Sequence, residues 1–308
     1  MKKMNFSNGV DNNALRLQMH RSGRWKQIRH PVLDELCERY QSSLECIKFA
    51  PKKAFSIDMF PYTNLNRKNV FYKNTNWVNG SYLPMKTTQI NGTLFSFFSD
   101  FFYRFFKRKI VFPKTINNFN ITEASFDHIE ALGVIPWVEN VDGFLNEINR
   151  LLKPGGLFGF ATFGPLTLKK FSEKLNQKLD NNSVRFIPMI DLHDLGDFCG
   201  NSGFEGCVVS SEIVSFKYQK SITALNELRA LSGNSSSGRR KTLCGRKWYK
   251  LLIDALEECV DSSGLKTFEF EFIVGHAWKR ESKTKSIFSN NTIKRKRPLS
   301  NEKKIEFF

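Results

Sequence analysis

Arg239, Arg240 and Arg246, with Lys241 and Lys247 beside them, are the residues whose type and spacing best suit chemistry on an anion. A guanidinium offers a planar fork of donors that matches a carboxylate, so such a cluster can orient an acidic ligand without reacting with it. The same cations could dock an acidic protein surface, and they read equally well as a solvated basic loop. Trp137 is a second candidate. It follows a strand-like stretch at 126–135, where an aromatic face could sit against a cation or simply pack over the loop. Cys37, Cys46, Cys199, Cys207, Cys244 and Cys259 form no C-x-x-C pair, and the five histidines form no H-E-x-x-H cluster. No metal site is therefore expected, and the thiols are expected to be reduced. His193 reads as a helix cap or orienting group, and His276 as a core histidine in an apolar strand.

These candidates depend on a legible series of elements. The strand at 126–135 runs into a loop. A helix then opens at Gly143 and places Phe144, Leu145, Ile148, Leu151 and Leu152 on one face. Lys153-Pro154-Gly155-Gly156 stops it, and 157–163 follows as a continuous apolar strand. Strand, helix, strand makes a βαβ unit, so the fold class is α/β. Upstream, Leu33, Leu36, Cys37, Tyr40 and Leu44 mark a helical face. A first strand is expected at 54–57 and a second at 70–72, with 76–93 polar and irregular. The phenylalanine-rich stretch at 94–108 reads as an aromatic helix packed across the sheet or under a lid.

Downstream, Phe171, Leu175 and Leu179 mark a helix. Asp191 or His193 could cap another, which Gly203 ends. The stretch 207–216 is strand-like. Ile222, Leu225, Leu228 and Leu231 form the expected buried side of a helix, 233–238 a flexible turn, and 247–260 a further amphipathic helix. Alternation of Phe268, Phe270, Phe272 and Val274 with Glu269, Glu271 and Ile273 has the period of a strand.

Length and charge bound the function. The chain has 308 residues, 41% of them apolar, and a net charge of +17. That is enough to fill a sizeable core, and 30 phenylalanines argue against wholesale disorder. No apolar run reaches the roughly 20 residues a membrane helix needs, and the start lacks the apolar segment of a secretory signal. The tail from Lys279 onward, including Lys294-Arg295-Lys296-Arg297, reads as solvated and basic. It could touch nucleic acid through phosphates, although nothing in it is arranged to stack bases.

The stretches SFDHIEALGVIPWVENVDGFLNEINRLLKPGGLFGFATFGPLTLKKF at 125–171 and FIPMIDLHDLGDFCGNSGFE at 186–205 carry a resemblance. LNELRALSGNSSSGRRKTLCGRKWYKLL at 225–252 and FEFEFIVGHAWK at 268–279 extend it. In this order they resemble the class I S-adenosylmethionine-dependent methyltransferases, more specifically the malonyl-[acyl-carrier protein] O-methyltransferases of biotin synthesis. The resemblance implies a Rossmann-like sheet, mostly parallel with an antiparallel last strand and helices on both faces. It also implies S-adenosylmethionine as cofactor, methyl transfer to the free carboxylate of a malonyl thioester, an acidic acyl-carrier protein as partner, and a cytoplasmic location.

Carried over residue by residue, the cofactor would meet Ser56, Asp58, Ala131 and Trp137. The carboxylate or the carrier would meet Arg239, Arg240, Arg246 and Lys247. No catalytic residue is carried over. The family's D-x-G-x-G-x-G turn is replaced here: counted from Ala50, Ser56 falls where the acid belongs, and Asp58, Phe60 and Tyr62 fall on glycines. Lys73 and Asn74 stand where an acid would follow strand two, and Thr115 where one would follow strand three. A repurposed methyltransferase fold that binds or assembles a protein partner is the alternative. The expected organisation is a helical segment at 1–45, the main domain at 46–280 with a helical insertion at 219–263, and a basic disordered tail at 281–308.

Overall fold

The computed structural model describes residues 9–11, 13–15, 30–58, 72, 74–81, 110–111, 119, 121–179, 189–231, 235–238 and 245–281. Its centre is a seven-stranded sheet in the order β3-β2-β1-β4-β5-β7-β6. The strands are β1 (Lys53–Asp58), β2 (Asn76–Ser81), β3 (Ile110–Val111), β4 (Phe126–Leu132), β5 (Leu152–Phe163), β6 (Phe204–Tyr218) and β7 (Lys266–Lys279). Strands β1 to β5 pair in parallel, while β7 runs antiparallel to both β5 and β6. The labelled helices are α1 (Pro31–Leu44), α2 (Val141–Leu151), α3 (Lys169–Lys178), α4 (Leu192–Asn201), α5 (Ser221–Ala230) and α6 (Arg246–Glu257).

In α1 and α2 the apolar faces expected from periodicity are the faces that are buried. In α1, Leu33, Leu36, Cys37, Tyr40 and Leu44 all point into the core. In α2, Phe144, Leu145, Ile148 and Leu151 do the same, and Asn140 caps the helix by accepting from Gly143 N–H at 2.9 Å. Between α2 and the core of β5, the K-P-G-G turn needs glycine for steric reasons. A Cβ on Gly156 would lie 2.8 Å from the Lys153 carbonyl and 3.0 Å from that of Asp127.

Three expectations are corrected. The second strand is Asn76–Ser81, not 70–72; within the 76–93 stretch read as irregular, its pairing with β1 is what makes a strand of NWVNGS. Of the side expected for α5, Leu225 and the following Leu231 are buried, but Ile222 is 44% exposed and Ala224 takes its place in the core. Ser235 and Ser236 in the supposed flexible turn are buried, with Ser236 bridged to Val10. The aromatic stretch at 94–108 and the basic tail beyond 281 lie outside the described residues.

Asp127 stitches the amino ends of β1 and β4. Its carboxylate accepts from Lys52 N–H at 3.0 Å, Lys53 N–H at 2.8 Å and Lys153 Nζ at 2.7 Å. Partial desolvation pushes its pKa up, but the Lys153 and Lys53 hydrogen bonds outweigh this and leave it below the ordinary value. A carboxyl depressed in the folded state contributes stability above its unfolded pKa, and loses it as pH falls through the folded one. Between about pH 5 and pH 2, Asp127→Asn is therefore expected to flatten the acid loss of stability, measured as Tm against pH.

Candidate functional site

The chain's direction across the sheet reverses between β1 and β4, and open parallel sheets hold ligands in the crevice at such a switch point, beyond the carboxyl ends of the strands. Asp58 is the last residue of β1 and is in register with Leu132, the last of β4. It is 2% exposed and accepts from Ser56 Oγ at 2.9 Å. An ionised carboxylate only accepts hydrogen bonds, so here it suits hydroxyl or ammonium donors of a ligand.

This placement moves the motif by two residues. Asp58, not Ser56, holds the acidic place at the strand end. Ser56 lies fully buried one pleat inside and orients the carboxylate. Phe60, Tyr62 and Asn64 then stand on the glycine positions, and all three lie outside the described residues.

Ala131 sits in the ladder between Ile57 and Phe160, one residue short of the end of β4, so its backbone is engaged by the sheet. Trp137, in the short 3-10 turn Ile135–Trp137, is 3% exposed and meets Phe163 edge-on at 6.3 Å. It packs as core and offers no open face. Its Nε1, like Thr162 Oγ1 at the end of β5, is buried without a hydrogen-bond partner among the described residues. Thr162 lies near the carboxyl end of β5, on the face of the sheet opposite to Asp58. A buried strand-terminal acid at the switch point is compatible with a polar nucleoside-type cofactor.

A polar row that periodicity does not reveal runs inward from Asp58. Parallel register puts Ser56 beside Glu130 and Ala54 beside His128, on the face that also carries Asp58. His128 Nδ1 donates to the Leu157 carbonyl at 3.0 Å, which leaves Nε2 to accept from Tyr40 Oη at 3.4 Å; Glu130 lies 3.9 Å from that nitrogen. Burial, then the Glu130 carboxylate, holds the Tyr40 hydroxyl protonated well above its ordinary range, and the same two causes push Tyr72 up to about 12. The one sequence signal for this row is two polar residues at alternate positions, His128 and Glu130, in a strand that is apolar apart from them and Asp127.

The carboxyl edge has a fixed wall. Glu271 on β7, 5% exposed, accepts from Leu166 N–H at 2.8 Å and from Ser211 Oγ at 2.7 Å. Its backbone N–H donates to Thr167 Oγ1 at 3.1 Å, and its carbonyl accepts from Gly164 N–H at 2.9 Å. The turn leaving β5 is thereby tied to β7. Glu271→Ala is expected to loosen it and lower Tm by roughly 2–8 °C, since removing it strands a part-buried N–H and a hydroxyl.

Topology brings α5 and α6, which lie between β6 and β7, to the same edge. Tyr218 ends β6 opposite Lys266, which opens β7, and β7 pairs with the carboxyl end of β5 only from Phe272 onward. The two strands therefore project about 20 Å past β5 before α5 and α6 begin. The N-terminal segment joins this body: Asp11 N–H donates to the Ser235 carbonyl at 2.7 Å, and His30 Nε2 to the Glu227 carbonyl at 3.2 Å. Arg246 and Lys247 open α6, and both are exposed. Lys169 and Lys170, exposed at the start of α3, add cations that sequence reading passed over. Arg239, Arg240, Lys241, Lys73 and Thr115 lie outside the described residues, while Asn74 precedes β2 and does not follow the second strand.

His193 is exposed, and its backbone N–H is capped by Asp191 at 2.8 Å, so Asp191 is the helix cap. Burial lowers the pKa of His276 on β7. Among the described residues no cluster of metal-binding side chains occurs, and no helix is long and apolar enough to cross a membrane.

Comparison with known proteins supports the fold and narrows the chemistry. A methyltransferase domain family matches residues 104–160. The malonyl-[acyl-carrier protein] O-methyltransferase of Methylovorus sp. (strain MP688) is 32% identical over 179 residues, 58% of this chain and 60% of that protein. The protein of the same name from Nitrosospira multiformis is 34% identical over 161 residues, 51% of this chain and 50% of its own. The chain thus spans between half and three fifths of the length of these relatives. Among solved structures, the YcgJ protein of Bacillus subtilis superposes with a TM-score of 0.51 at 12% identity, covering 80% of this chain and all of that one. That likeness speaks for the fold alone.

Proposed function

We propose that this chain, a class I methyltransferase by fold, transfers a methyl group to the free carboxylate of a malonyl thioester on an acyl-carrier protein, in the cytoplasm. The reading rests above all on the similarity, over more than half the chain, to proteins of that name. S-adenosylmethionine supplies an electrophilic methyl group on a sulfonium when bound. Asp58 at the end of β1 accepts hydrogen bonds from the cofactor's donor groups, and Ser56 fixes its rotamer.

The acceptor is already an ionised carboxylate, so no general base is required of the protein. What remains is to bring one oxygen in line with the methyl carbon and to exclude water. Arg246 and Lys247, with Arg239 and Arg240 from the same insertion, attract the carboxylate and the acidic carrier. The wall held by Glu271 closes the edge behind the acceptor.

The reading is tested by incubating the purified chain with methyl-labelled S-adenosylmethionine and malonyl-loaded acyl-carrier protein. Label on the carrier that mild ester hydrolysis removes is the expected result. Cofactor binding without transfer to malonyl-carrier would remove the acceptor assignment, and no binding at millimolar cofactor would remove the enzyme. In the same assay, Arg246→Glu with Lys247→Glu is expected to raise KM for the malonyl-carrier by about ten-fold, with kcat little changed. A malonyl thioester without its carrier protein should be affected far less.

A further inference from the structure

Two thiols outside this site are brought together by the fold. Cys199 lies in the last turn of α4 and is fully buried, while Cys207 lies in β6 and is half-buried. Between them the chain reverses and enters β6 through an irregularity. Glu205 pairs with Trp278 and Val208 with His276, so β6 spends three residue steps where β7 spends two. The extra residue inverts the alternation. Phe204, opposite Lys279, and Val208, opposite His276, fall on different faces, and Cys207 is left on the face of Phe204. Phe204 is buried against Phe158, on the side that α4 covers. Without the bulge, Cys207 would point to the other side of the sheet.

The bulge thus turns Cys207 to the side of β6 on which α4 packs and Cys199 is buried. Their roles are unequal. The neighbouring Cys199 thiol holds Cys207 below its ordinary range, whereas the Cys207 neighbour and burial push Cys199 up. Cys207 is therefore the thiol that ionises first and meets solvent, with a second thiol in contact behind it.

We propose that Cys199 and Cys207 form a reversible disulfide by exchange with a small disulfide of the glutathione class. The Cys207 thiolate attacks one sulfur of the small disulfide; a protein–small-molecule S–S bond forms, the original S–S bond breaks, and one thiolate leaves. Cys199 then loses its proton to solvent and attacks Cys207 Sγ, expelling the second thiolate. Two protein thiols are oxidised, and one small disulfide is reduced to two small thiols. The pair is level with Trp278 and His276, towards the amino ends of β4 and β5 and at the opposite end of the sheet from Asp58. The bond would staple α4 to the sheet's edge strand without entering the candidate site.

The test incubates the full chain with oxidised glutathione at pH 8 and follows intact mass and peptide maps. Wild type is expected to lose two hydrogens and yield a linked 199/207 peptide, reversed by excess reduced glutathione. Cys199→Ser should instead accumulate a stable glutathione adduct on Cys207, and Cys207→Ser should give neither product at these positions. Exposed Cys46 serves as an internal reference for an ordinary surface thiol. A wild-type protein that keeps a lasting adduct on Cys207, or that reacts at Cys46 while the pair stays reduced, overturns the proposal.

Discussion

Asp58→Asn is expected to weaken binding of S-adenosylmethionine by roughly 10- to 100-fold, measured by calorimetry on the folded protein. A carboxylate accepting from a ligand donor is worth about 1.5–3 kcal/mol, and each 1.4 kcal/mol is a factor of ten. Asparagine keeps the shape and the Ser56 contact of 2.9 Å but removes the charge that strengthens every other bond at this place. Ser56→Ala should cost only a few-fold, because it frees the rotamer and leaves the charge. Binding equal to wild type in Asp58→Asn would show that the cofactor is held elsewhere, and the reading of the β1 terminus would fall.

The second large effect is on stability. Gly159 lies in β5 directly under Tyr40 of α1, and a Cβ there would press into the phenol well inside contact distance. Neither side can yield easily. Gly159 is paired with both β4 and β7, and Tyr40 is locked among buried neighbours with its hydroxyl on His128. Gly159→Ala is therefore expected to cost about 1–3 kcal/mol, read as a fall in Tm of several degrees. In a Tyr40→Leu background the same change should cost clearly less. A double-mutant cycle without such coupling would mean that the α1 face does not rest on β5 as described.

Some of the molecule was legible because its signals are local. Helix faces such as that of Phe144, Leu145, Ile148 and Leu151 follow from a 3.6-residue period, which a helix expresses whatever surrounds it. The K-P-G-G stop could be read from breaker residues alone. Strand β2 could not. NWVNGS carries only Trp77 and Val78 as apolar residues, and it is extended because β1 lies beside it. Ser235 and Ser236 looked like a solvated turn for the same kind of reason, since their partners Asp11 and Val10 are more than two hundred residues away.

At the site, residue types were visible before their places were. Asp58 and Trp137 were both singled out, yet the end of a strand is set by register with neighbours. That register made Asp58 the terminal acid, drew Ser56 inside, and turned Trp137 into packing against Phe163. The sequence by itself determined an α/β sheet and its βαβ centre, because periodicity and breakers act over a few neighbouring residues. Only the tertiary structure decided which acid meets the ligand edge, that Tyr40, His128 and Glu130 form one buried row, and that a single bulge sets Cys207 against Cys199. These depend on contacts between residues far apart in the chain, whose burial and alignment no local pattern encodes.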